Sequence, residues 1–107
     1  MWEPLSRDEL EIMISHSEYL LTDLEEKFWN YIKTTPQKWQ EVKYGKEGGG
    51  FWVVAIFGEQ VLYYNDIEEG FNASPYKQYG VIDEYHCSQL ELHESIKSLY
   101  EWLHHVL

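Results

Sequence analysis

The segment Phe51-Trp52-Val53-Val54-Ala55-Ile56-Phe57 constrains this chain more than any other. It is an unbroken apolar run rich in β-branched and aromatic side chains, which favour a pleated, buried backbone. A strand with one wet face alternates polar and apolar residues; this one does not, so both of its faces are expected to be covered. Gly58-Glu59-Gln60 then turns the chain into Val61-Leu62-Tyr63-Tyr64, which predicts a hairpin with a short loop. This pair forms the expected centre of a sheet. Lys38 to Tyr44 supplies a first strand ahead of Gly48-Gly49-Gly50, and Val81 to His86 a last one. The triple glycine is expected to be a flexible hairpin loop or bulge. Lys46 nearby also suits an anion, but the glycines precede a strand and no Gly-Lys-Ser/Thr follows.

The N-terminal third is helical in pattern. Ser6 with Glu9, and Thr22 with Glu25, have the spacing of capping boxes, in which side chains satisfy the first backbone N–H groups of a helix. One helix over residues 7–33 would be about 40 Å long at 1.5 Å per residue, against a radius of gyration of about 13 Å for a domain of this size. Two helices are therefore predicted, near 7–15 and 20–33, broken around Ser15-His16-Ser17. Pro36 ends the helical region. At the other end, Ser88 with Glu91 predicts a third capping box. The helix it opens carries Leu92, Ile96, Leu99, Leu103 and Val106 on one stripe, which would lie on the sheet. The order ααββββα makes this an α+β fold: a small, mostly antiparallel sheet of about four strands with a C-terminal amphipathic helix against it.

The chain has 107 residues, and its 19 acidic and 8 basic side chains give a formal charge of −11. That length suits one domain, residues 1–107, able to bury roughly two-thirds of its unfolded surface without a metal or disulfide. Hydrophobic residues at 44% put it outside the disordered class despite its charge. A single cysteine, Cys87, excludes an internal disulfide and suits a reducing, cytoplasmic compartment. The start Met1-Trp2-Glu3-Pro4 lacks a signal-peptide pattern, and no run approaches the roughly 20 apolar residues of a membrane span. The few cations are scattered, which argues against nucleic acid and anionic membranes as partners.

No catalytic set emerges. On a strand, His86 and Cys87 point to opposite faces, so Cys87 is expected to be a small apolar residue ahead of the helix, and Glu84 with His86 a solvent-side pair. His104 and His105 diverge by about 100° on a helix, and Asp66, Glu68 and Glu69 miss the calcium-loop pattern because Ile67 falls at a ligand position. Neither a metal nor a cofactor is expected. Asn72-Ala73-Ser74 matches a glycosylation sequon, which has no weight without a secretory signal.

Residues 65–80 hold more content. Connections in small domains have a median of about four to six residues, and longer ones are often functional. This stretch combines Asp66, Glu68 and Glu69 with Phe71, Tyr76 and Tyr79, next to Tyr64. The aromatics would pin the loop to the sheet, contribute contact area to a partner, or both, and the acids would steer a basic one. In size and acidity, with no shared motif, the chain resembles the immunity proteins with which bacteria neutralise their own toxins. The leading expectation is a non-enzymatic binding protein that engages a basic protein, as an inhibitor or immunity-type protein does. Two alternatives stand beside it. One is a small-molecule or regulatory domain, enzymatic or not, with an aromatic pocket at Trp52, Tyr63 and Tyr85 between sheet and helices. The other is a structural homodimer joined through a strand edge or Trp102.

Overall fold

The computed structural model describes residues 3–44 and 49–106, the side chain of Val106 excepted. The first helix, α1 (Arg7–Tyr19), starts at Ser6, whose Oγ accepts the Glu9 N–H at 3.2 Å and donates to Glu9 Oε1 at 2.9 Å. The second, α2 (Asp23–Ile32), has the complete reciprocal box: Thr22 Oγ1 accepts the Glu25 N–H while Glu25 Oε1 accepts the Thr22 N–H. There are two helices, but the break falls at Leu20–Thr22, not at Ser15–Ser17. Ser17 stays helical and buried because its Oγ accepts the backbone N–H of His93 at 3.1 Å and lies 3.3 Å from His93 Nδ1. Trp29, off the apolar stripe of α2, is also buried, with its indole N–H donating to Glu18 Oε2 at 2.8 Å.

Five strands follow: β1 (Lys33–Glu41), β2 (Phe51–Phe57), β3 (Gln60–Asn65), β4 (Gly70–Pro75) and β5 (Val81–Ile82). Their order across the sheet is β4-β3-β2-β1-β5, antiparallel except for the parallel pair β1·β5. The predicted central hairpin is β2–β3. Its pairing slips between Val53↔Tyr63 and Ala55↔Leu62, leaving Val54 as the extra residue of a bulge. The bulge turns Val54 and Ala55 to the same side, where they join Leu10, Trp29, Leu62 and Ile96 in a core under the helices. Phe51, Val53, Val61 and Tyr63 face the other way and pack with Trp39 and Ile82 in a second core. Both faces of β2 are thus covered, as its composition required.

Three strand expectations are corrected. The first strand begins at Lys33 and ends at Glu41, because the Glu41 carboxylate turns back to accept the N–H groups of Lys43 and Tyr44. Residues 70–75, expected as part of the long 65–80 connection, form β4 in unbroken register with β3. The last strand shrinks to Val81–Ile82, and residues 83–91 form a strap instead. The sheet curls enough for this region to touch both of its edges: Ile82 pairs with Glu41 of β1, and the Asp83 N–H reaches Pro75 O of β4 at 3.4 Å.

The C-terminal helix, α3 (Leu92–Val106), lies on the helix side with Leu92 and Ile96 fully buried and Leu99 packed against the core. Ser88 does not open it. Glu91 does, with its carbonyl accepting the Ser95 N–H and its own N–H bonded by Glu94 Oε1 at 2.9 Å. Cys87, expected as a small apolar residue ahead of the helix, lies there and is exposed. Gly48 and Lys46 lie outside the described residues.

Gly50 marks a close approach between the start of β2 and β1. It has φ +104, and a Cβ there would sit 2.1 Å from the carbonyl oxygen of Trp39. Gly49 has φ +77 but open space around it. Gly50→Ala is therefore expected to cost about 2 kcal/mol or more, and Gly49→Ala only about 1 kcal/mol for the left-handed backbone. Urea denaturation of the two variants checks this order; equal losses would contradict the close packing of β1 on Gly50.

Candidate interaction surface

The acidic residues singled out in the sequence sit in the turn between β3 and β4, residues 66–69, which is short and pinned from several sides. Asn65, fully buried at its start, accepts the N–H groups of Ile67 and Glu68 through Oδ1 at 3.0 and 3.2 Å. Its amide donates to His86 O on the strap at 2.8 Å. Gln89, further along the strap, donates to Glu68 O at 3.1 Å. At the end of the turn, Gly70 leaves no room for a side chain, since a Cβ would meet Ser88 O at 2.0 Å.

The three acids play different parts. Asp66 is half-buried, and its Oδ2 accepts the Leu5 N–H at 2.8 Å while Trp52 Nε1 donates to Leu5 O at 2.8 Å, so the segment ahead of α1 is clamped at one residue. Burial pushes the Asp66 carboxyl above its ordinary range, against the pull of the Leu5 N–H and the Lys38 ammonium. Lys38 lies 4.9 Å from the centroid of the Trp52 ring and donates to Gly50 O, and burial lowers its pKa. Asp66 is therefore an internal anchor. Glu68 is half-buried and Glu69 exposed, and Glu69 is the one described non-glycine residue with positive φ, at 60°. Glu9, from the first turn of α1, completes the group: burial first, then the carboxylates of Glu69, Asp66 and Glu9, pushes the Tyr64 phenol upward.

The aromatic residues of the same stretch do not join this surface. Tyr64 and Phe71 are buried against one another in the helix-side core, their rings 4.8 Å apart. Tyr76 and Tyr79 pack on Trp39, Tyr76 directly after the far end of β4, about 18 Å along the strand from the turn. Tyr76 donates to Gly58 O, and the exposed Tyr79 donates to Gln37 Oε1. Both pin the chain to the sheet, and Tyr79 keeps 63% of its surface exposed. The residues of the alternative pocket are split by the sheet itself: Trp52 packs on the helix side, whereas Tyr63 and Tyr85 belong to the opposite core. Glu84 and His86 do form a solvent-side pair, at 3.0 Å.

Sequence reasoning missed the polar side chains that hold the strap. Tyr63, fully buried and stacked on Phe51, donates its hydroxyl to Glu84 O at 3.0 Å and accepts the His86 N–H at 2.7 Å. Ser74 Oγ accepts the Glu84 N–H at 2.9 Å, and the Asn72 amide both donates to Ser88 O and accepts the Ser88 N–H. Alternate strap residues 84, 86 and 88 are thus gripped by their backbones. The only local signal is polar residues at every second position of a stretch that is otherwise strand-like. Among the described residues, no three His, Cys, Asp or Glu side chains gather as a metal site, and no helix is long and apolar enough to cross a membrane.

Burial is the main reason the Tyr63 pKa is pushed up to about 12. The folded state thus favours the neutral phenol, and this contribution is complete below pH 10, then lost as pH rises through 12. Tyr64 and Tyr85 are raised in the same sense. Tyr63→Phe strands the carbonyl of Glu84 and the N–H of His86, at about 1–3 kcal/mol in neutral solution. It is also expected to flatten the loss of stability between pH 10 and 12 in urea titrations; an unchanged alkaline slope would remove Tyr63 from that transition. Comparison with protein-family models, curated proteins and solved structures finds no match to this chain.

Proposed function

We propose that this chain is a non-enzymatic binding protein, of inhibitor or immunity type, that engages a basic protein through the acidic β3–β4 turn. The observation that carries this is Glu69. A non-glycine residue at φ 60° costs about 1 kcal/mol or more, and glycine would sit there without strain. A glutamate held in that conformation, exposed and next to Glu68, is better explained by a demand for its charge than by the fold. The turn is also pre-organised by Asn65, Gln89 and Leu5, so little ordering entropy is lost when a partner docks. A chain charge of −11 adds long-range steering toward a basic surface. The lone Cys87 is consistent with a reducing, cytoplasmic setting.

A small-molecule site lined jointly by Trp52, Tyr63 and Tyr85 has less support, because those side chains occupy opposite faces of the sheet.

Affinity capture at low and high salt identifies the basic partner, and stopped-flow mixing with it tests the turn. Glu68→Lys with Glu69→Lys should slow association about tenfold or more at low salt, with the gap closing as salt is raised. Glu69→Gly should leave thermal stability equal or higher while still slowing association. An unaltered rate in the double variant would remove the turn from the interface.

A further inference from the structure

Beyond the turn, β4 offers a second feature. Phe71 sends its N–H outward to Leu90 O, and Pro75 accepts the Asp83 N–H from the same side, so the main chain of alternate residues 71, 73 and 75 faces away from β3. The strap occupies the two ends of this edge and leaves the middle. There the Ala73 N–H and C=O face a groove of about 160 Å³ between β4 and α3, and no described residue bonds either group from that side. The small residues Ala73, Ser95 and Ser98 line the groove together with Leu62 and Leu99. Ser95, Ser98 and Trp102 follow at i, i+3 and i+7, so the same stripe of α3 continues from the groove to a tryptophan that is 56% exposed. Alongside run the exposed Glu91, Glu94 and Glu101, with Lys97 the cation of that helix.

We propose that this groove takes a short, extended, basic segment of the partner protein, paired to the Ala73 main chain, with one apolar side chain against Leu62 and Leu99. An unpaired strand edge selects an extended backbone, and alternate side chains then point into the groove. The glutamates select cations on the outward side. A second copy of the chain is disfavoured as occupant, since it brings another −11. Exposed tryptophan at a groove end is a frequent anchor of binding energy. The proposal rests on the basic-partner reading above and adds a second point of contact to it.

The probe is an acetylated, amidated Lys-Val-Lys-Val-Lys peptide, titrated into the full chain and followed by backbone amide NMR and hydrogen exchange. Ala73 N–H should exchange freely in the unbound chain and slow about tenfold or more at saturation, with the Trp102 indole shifted. Ser98→Phe fills the groove from an exposed helix position, so it should keep the melting temperature and weaken peptide binding about tenfold or more. Three results would overturn the groove: no saturable binding, an Ala73 amide already protected without peptide, or shifts confined to Glu68 and Glu69. The last leaves the acidic turn intact. Conversely, peptide protection at Ala73 together with an unchanged partner association rate in the Glu68/Glu69 variant would retain the groove and remove the turn.

Discussion

Everything distinctive about this structure depends on one interaction: four side chains of β3 and β4 gripping a strap that has almost no strand pairing of its own. Tyr63, Asn65, Asn72 and Ser74 bond the backbone of Glu84, His86 and Ser88. Three of those four residues would be poor choices for a buried sheet face if they had nothing to bind, since an unsatisfied buried polar group costs about 1–3 kcal/mol. With the strap in place each is satisfied, and the strap roofs the second core formed by Trp39, Phe51, Val53, Val61 and Ile82. The chain thereby covers both faces of its most apolar strand with three helices on one side and an irregular segment on the other.

The same strap makes the acidic turn stiff. Asn65 holds the turn with one end of its amide and the strap with the other, and Gln89 returns from the strap to Glu68. Leu5, clamped between Asp66 and Trp52, ties the start of α1 to the same place, and the carboxylates of Glu9 and Glu69 both act on the Tyr64 phenol. The result is a small group of carboxylates on a backbone held from both sides. One of them, Asp66, is spent on the fold. The strain at Glu69 is affordable only because its neighbours over-determine the turn.

Much of this architecture was legible from short-range pattern. The apolar run 51–57 demanded cover on both faces, the Thr22–Glu25 box placed the start of α2, and the stripe from Leu92 to Leu103 placed α3 on the sheet. What stayed hidden depends on partners distant in sequence. Residues 70–75 looked like a turn because glycine, asparagine, serine and proline are turn formers, yet Asn72 and Ser74 are there to bond the strap. Ser17 resembled a helix break because nothing local announces His93. The candidate acids were found by composition, but their division of labour was not: Asp66 becomes an anchor through Leu5 and Lys38, and Tyr76 and Tyr79 are carried to the other end of β4 by a strand the pattern did not reveal.

The central claim is that side-chain bonds to the strap, not strand pairing, lock the acidic turn into a rigid surface. Native-state hydrogen exchange of the His86, Ser88, Ile67 and Glu68 amides tests it most directly. The account predicts that all four exchange only through the global opening that also exposes the amides of β2. Exchange at loop-like rates while β2 remains protected would show a strap that opens by itself, and the rigid acidic surface would fall with it.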